Sequence, residues 1–321
     1  MVWRQTLGRL AGQSLARVEE GGLVLHRLTQ AILRDRLTSA QATAARARVE
    51  AIVAASNPGD PANPVTWPRW ARLMPHLLAA GPAATGNPDL RTVACDACAY
   101  LLSRGDTRTA HDLAAGLREQ WRERLGDDDQ HTRAATHYLA GALREMGRYA
   151  DARALDQDAL DRHRRAPGAD HPQTLAVAAH LAVDLRRLGE VEAARDLDED
   201  TLERFRRVLG ADHPSTLTCA SNLAVDLRAL GEVEAARDLD EDTLERRRRV
   251  LGADHPDTLA SANGLAVGLR ARGKVEAARD LDQDTLERKR RVLGADHPDT
   301  LASANNLAAD LRVLGEAEDQ A

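Results

Sequence analysis

Aromatic residues are nearly missing: four Trp, three Tyr and one Phe make up 2% of 321 residues. Seven of the eight precede residue 150 and only Phe205 follows, so the second half must pack with Leu, Val and Ala, which suit close helix-on-helix contact. Lysine is scarcer still. Lys274 and Lys289 are the only two, and arginine supplies the other 42 of 44 basic residues, a skew that reads as the base composition of a GC-rich, bacterial genome. Three cysteines are too few for a disulfide framework in a chain of this length. No stretch approaches eighteen apolar residues and no signal peptide precedes a cleavage site, so the expected location is cytoplasmic, with no membrane partner. A net charge of −6 argues against nucleic acid, whose binding rests on neutralising phosphates.

What the chain has is repetition. LGADHPDTLASAN stands unchanged at 251–263 and 293–305, with looser copies at 209 and 167. Gly126, Gly168, Gly210, Gly252 and Gly294 are spaced 42 apart, and Gly147, Gly189, Gly231, Gly273 and Gly315 keep the same period, which Gly105 extends upstream. Each unit reads as two helices. In 210–251, Pro214 suits a first helical turn, and Leu217, Leu223, Ala224, Leu227 and Leu230 recur at three- and four-residue steps until Gly231. The second helix turns Val233, Ala236, Leu239 and Leu244 inward and runs from acidic to basic, with Asp242–Arg246 and Glu245–Arg249 as i,i+4 pairs. Such pairs cannot bury their apolar faces alone and therefore stack.

Asn222-Leu-Ala with Leu227, Gly231 and Ala235-Ala236 resembles a tetratricopeptide repeat. The 42-residue period and the Leu-Gly-Ala-Asp-His-Pro-Asp-Thr joint are similar to the kinesin-light-chain type, and Asn305-Asn306-Leu307-Ala308 matches that type's first helix. The resemblance implies an all-α fold, a superhelical solenoid of antiparallel helix pairs over 84–321, with 84–125 degenerate: about five pairs and a final half repeat. Residues 39–83 form a helical bridge and a Pro-rich loop. Residues 1–38 read as a small winged-helix-like α/β remnant, with a hairpin of 14–18 and 23–26 around Glu19-Glu-Gly-Gly. The junction LVLHRLTQAILRDRL resembles the end of the winged-helix segment of NB-ARC/STAND-type regulators. There the resemblance places a nucleotide-sensing histidine at His26, although Arg27 stands where an acid is usual.

Motifs of catalysis fail on context. Gly268 to Lys274 fits the spacing of a phosphate loop, but Val275 replaces the Ser/Thr and Gly273 belongs to an inter-helix turn. Asp238-Leu-Asp240-Glu-Asp242 lacks the turn glycine of a calcium loop and reads as a solvated helix face. Cys95 and Cys98 supply at most half a zinc site and read as buried small residues. The Asp-His joints have no nucleophile beside them; the acid or the histidine before the proline reads as a helix cap. We therefore expect no enzyme, no metal and no cofactor, ATP or ADP entering only through an NB-ARC domain elsewhere.

The candidate site lies on the first helices. Arg144, Arg186, Arg228, Arg270 and Arg312 recur every 42 residues, near His180, Asn222, Asn263, Asn305 and Asn306. The resemblance implies that this part of the helix lines a concave groove. Guanidinium forks bind carboxylates and amides bond peptide backbone, so the expected partner is a protein or peptide segment of acidic character. The expected function is a protein–protein interaction module; the alternative is the sensor half of a STAND-type ATPase switch. The half repeat at the end leaves an apolar face less covered, from which self-association is expected.

Overall fold

The computed structural model describes residues 16–19, 22–25, 31–32 and 35–318. It divides into two compact units, Met1–Ala135 and Thr136–Ala321. In the first, β1 (Ala16–Glu19) and β2 (Gly22–Leu25) pair antiparallel, Val18 opposite Leu23, which places the expected hairpin. His26 lies outside the described residues.

Helix α1 (Ser39–Ala55) opens on a capping box in which Thr38 and Gln41 satisfy each other's backbone amides. Its buried Glu50 is held by Arg46 at 2.9 Å and Thr85 at 2.7 Å. Helix α2 (Trp67–Ala80) supplies Trp70, which stacks on Tyr100 with ring centroids 5.6 Å apart and donates its indole N–H to the Gly59 carbonyl. Tyr100 belongs to α3 (Pro88–Ser103), which forms the degenerate pair with α4 (Thr107–Leu125). Cys95 and Cys98 are free and buried on α3, and burial pushes the Cys95 thiol up to about 12. This unit thus holds the aromatic share of the core: Trp70, Tyr100 and Trp121 are all but fully buried.

The array continues with α5 (Gln130–Glu145) and α6 (Tyr149–His163), α7 (Pro172–Arg187) and α8 (Val191–Leu209), α9 (Pro214–Ala229) and α10 (Val233–Leu251), and α11 (Pro256–Ala271) and α12 (Val275–Leu293). It ends on α13 (Pro298–Glu318). Glycine closes both turns of each unit: Gly210 (φ 91°) ends α8 and Gly231 (φ 83°) ends α9, a left-handed backbone that a Cβ would strain. Gly315 departs from its sisters and stays inside α13. Alanine and leucine make the core as the composition requires; Leu202, Phe205, Ala220, Leu223, Ala224 and Ala236 form one cluster between α8, α9 and α10.

The joints are built differently from a simple acid cap. His171, His213, His255 and His297 are the N-caps: each Nδ1 accepts the backbone N–H two residues on, at 3.2 Å, with proline at the first helical position. The acids beside the first three, Asp170, Asp212 and Asp254, instead tie the loop to its own second helix. Asp212 takes Arg246 at 2.9 Å and Arg249 at 2.8 Å, and Asp254 takes Arg288 at 3.0 Å and Arg291 at 2.7 Å. Those hydrogen bonds hold both carboxyls below their ordinary value. Arg249 therefore serves Asp212 rather than Glu245, while the expected Asp242–Arg246 pair forms.

One core register changes chemistry along the array. Phe205 is buried in α8, and its sister positions hold Arg247 in α10 and Lys289 in α12, equally buried. Arg247 donates to Ser261 at 2.7 Å and to the Asp257 carbonyl at 3.0 Å, and Lys289 reaches the Asp299 carbonyl. Ser261 and Ser303 stand where Cys219 shares the cluster of Phe205, so polar partners arrive with the buried cations.

Candidate functional site

At 100° per residue, the face of a first helix opposite its core passes through one residue in every three or four. In α7 these are Ala176, His180 and Val183; in α9, Thr218, Asn222 and Val225; in α11, Ala260, Gly264 and Val267. Val225 and Val267 are each 39% exposed, an apolar stripe that recurs every 42 residues. Helix α7 touches α9, and α9 touches α11, whereas no contact of that extent joins successive second helices. The stack is therefore drawn tighter on the first-helix side, and this stripe runs along its inner face.

The amides expected in the groove fall into two registers. Asn222 and Asn306 share the register of His180 and are half-buried; no side-chain hydrogen bond engages either among the described residues. Asn263 and Asn305 stand one residue earlier. Asn263 turns sideways and donates to Ser303 of the next first helix at 2.8 Å, while Asn305 is exposed. His180 lies against His137 of α5 with ring centroids 4.9 Å apart. Burial, the neighbouring His137 and the Arg144 charge keep it neutral, its pKa lowered to about 3.

The arginines are engaged inside the protein. Arg144 donates to Asp156, twelve residues on in its own second helix, at 2.6 Å, and to Asp184 of the next first helix at 3.4 Å. Arg186 bonds Asp226 at 2.7 Å and the Asn222 carbonyl at 3.1 Å, with Asp198 close enough for its charge to be felt. Arg270 takes Asp282 at 2.8 Å and both oxygens of Asp310. Arg228 pairs with Asp240. Arg312, on α13, is exposed.

Six of the seven aspartates fall into carboxyl pairs, Asp156–Asp184, Asp198–Asp226 and Asp282–Asp310, and all seven lie at or below 3% exposure. Asp184, Asp226 and Asp282 each keep a buried oxygen that finds no donor unless one carboxyl of the pair is protonated. Burial holds that proton: it raises Asp184 to about 7 and Asp198 to about 8, the neighbouring carboxylate adding to both. Sequence reasoning missed these acids. It took the Asp238–Asp242 run for a solvated face, which holds for Asp238 and Asp242 but not for Asp240. The signal was available, because Asp156, Asp198, Asp240 and Asp282 keep the same 42-residue period as the arginines.

The phosphate-loop spacing dissolves on inspection, since Gly273 (φ 71°) makes the turn between α11 and α12. Among the described residues no group of three or more metal-ligating side chains converges, and no helix is long and apolar enough to cross a membrane.

The tetratricopeptide-repeat family models match residues 131–197, 216–257 and 258–299, the helix pairs described above. The array is built of tetratricopeptide repeats. No curated protein matches the chain. Among solved structures, the nearly identical repeats of a kinesin-light-chain-type protein from Podosopora anserina are similar over 66% of this chain and 97% of that one, at 24% identity and a TM-score of 0.53. NprR, solved with its cognate peptide NprX, is similar over 80% of this chain and 68% of its own at 14% identity, TM-score 0.58. A signal transduction ATPase with numerous domains and a tetratricopeptide sensor, from Pyrococcus horikoshii, is similar over 96% of this chain but 55% of its own length, at 11% identity and a TM-score of 0.53. At these identities the likeness is one of fold.

Proposed function

We propose that the array is a protein-interaction module whose inner first-helix face takes an extended segment of a partner. The observation that carries this is the stripe itself. Val183, Val225 and Val267 offer apolar contact in step with Asn222 and Asn306, whose side-chain amides no hydrogen bond engages among the described residues, while the ionic groups beside them are matched internally. Amides in that position bond a peptide backbone, and the valines take alternate side chains. NprR, of the same fold, binds a peptide. The acidic character of the segment rests on the arginine ladder, with Arg312 outward and the others tethered to buried acids.

The test is capture of peptides by the full chain. Val225→Asp with Val267→Asp should abolish retention on a decapeptide array, with helical content and melting temperature unchanged. Unaltered retention would show that the stripe is plain surface. Charge reversal of Arg228 or Arg270 is a poor probe, because each holds a buried aspartate.

A second reading draws on the likeness to the STAND protein across 96% of this chain. In it the array is the sensor of an ATPase switch, with nucleotide bound by a domain encoded elsewhere and His26 reporting on it. DNA adjacent to this coding sequence should then encode a phosphate loop; its absence sinks the reading.

A further inference from the structure

Every complete ladder site in the array but one gathers two aspartates around its arginine. Arg144 has Asp156 and Asp184, Arg186 has Asp198 and Asp226, and Arg270 has Asp282 and Asp310. Arg228 has Asp240 alone, because the position forty residues on, held by aspartate in the sisters, is Gly268. Four residues earlier, the half-buried inner-face position that carries Asn222 or Asn306 is Gly264. Both vacancies lie over the same acid. A Cβ at Gly264 would stand 3.5 Å from Asp240 Oδ1 and one at Gly268 3.9 Å from Oδ2, ordinary contacts, so neither position is closed to a Cβ and both leave Asp240 uncovered by a side chain of α11.

The two glycines have no backbone reason to be there. Both sit inside α11 with helical dihedrals, where glycine weakens a helix, and neither is pressed by a neighbour that would exclude a side chain. A guanidinium has five N–H donors in a planar fork, and its sisters show that in this array it holds two carboxylates at once. We infer that the gap at Gly264 and Gly268 is the acid-specific subsite of the groove: a partner's Asp or Glu side chain enters over Gly264 and supplies to Arg228 the second carboxylate that Gly268 withholds. Asp240, at its back, already takes Nη1 of Arg228, and the incoming group meets the Nε–Nη2 edge by which Arg270 holds Asp310.

This deepens the groove reading and rests on it, so the experiment separates the two. The fluorescently labelled full chain is applied to an array of decapeptides of Ala, Val and Ser that carry Asp, Glu, Asn or Gln at one central position. Wild type and Gly268→Ala should retain the acidic peptides about tenfold over their amide isosteres, the scale of a charge-assisted hydrogen bond. Gly268→Asp, which restores the missing carboxylate in cis, should retain acids and amides alike while folding at least as stably as wild type. An acid preference that survives in Gly268→Asp overturns the subsite and leaves the groove reading standing. Equal retention of acids and amides by wild type does the same. No retention of any peptide, or retention indifferent to Val225→Asp with Val267→Asp, overturns both.

Discussion

At the residue scale the array is governed by arginines that serve as internal struts. Arg186 is the clearest case, since its removal leaves Asp198 and Asp226 buried without a cation. Arg186→Ala should lower unfolding free energy by ~3–5 kcal/mol in urea titration, the usual cost of orphaning a buried charge. The shared protons add a pH dependence whose sign follows from linkage. Folded Asp198 keeps a proton up to about pH 8, and an unfolded aspartate loses it near pH 4, so between these values the native state holds more protons. Stability contributed by this group must therefore fall as pH rises from about 4 to about 8 and level off above, the reverse of the ordinary carboxylate case. Melting temperatures across that range should decline, and Asp198→Asn, which cannot lose a proton, should flatten the decline. The arginine period was legible in the sequence; the role was not. Period alone does not show that a residue at about 90° from the inner face points at the neighbouring helix, and only the pairing of Arg186 with Asp226, forty residues away, reveals it.

Elements are bounded by rules that the sequence displays openly. Proline at the first turn and glycine at the last placed α7 to α12 from the pattern alone, and the structure keeps those limits. The division of labour within Asp-His was hidden, because either side chain can reach a helix terminus. Imidazole Nδ1 proves to be the acceptor for the free amides, and His213→Ala should cost ~1 kcal/mol where His213→Ser costs almost nothing. Within α11 the opposite holds, as Gly268→Ala removes a flexible residue from a helix interior at a place where the methyl fits. It should gain ~1 kcal/mol, read from the shift of the urea midpoint. The same sequence reading placed a turn at Gly315, which instead lies inside α13. Leu301 and Leu311 are half-exposed on that last helix.

From α6 to α13 contacts run within a helix pair and between adjoining pairs, so stability there is a sum of unit and interface contributions. Hydrogen exchange should register Arg186→Ala as lost protection in α7 to α9, where it and its partners lie, before it is felt in α12. Arg144 and Arg270 each bond one acid twelve residues ahead and another forty ahead, and Arg186 has acids at the same offsets, which are tied to a period of 42. A recombination that duplicates or deletes one whole period therefore keeps those offsets in register. The binding surface can lengthen or shorten by whole units through slippage of the coding DNA, with no compensating mutation. Two identical thirteen-residue stretches are what such a history leaves behind. The glycine pair of α11 would travel with its unit as a heritable variation in what the groove accepts.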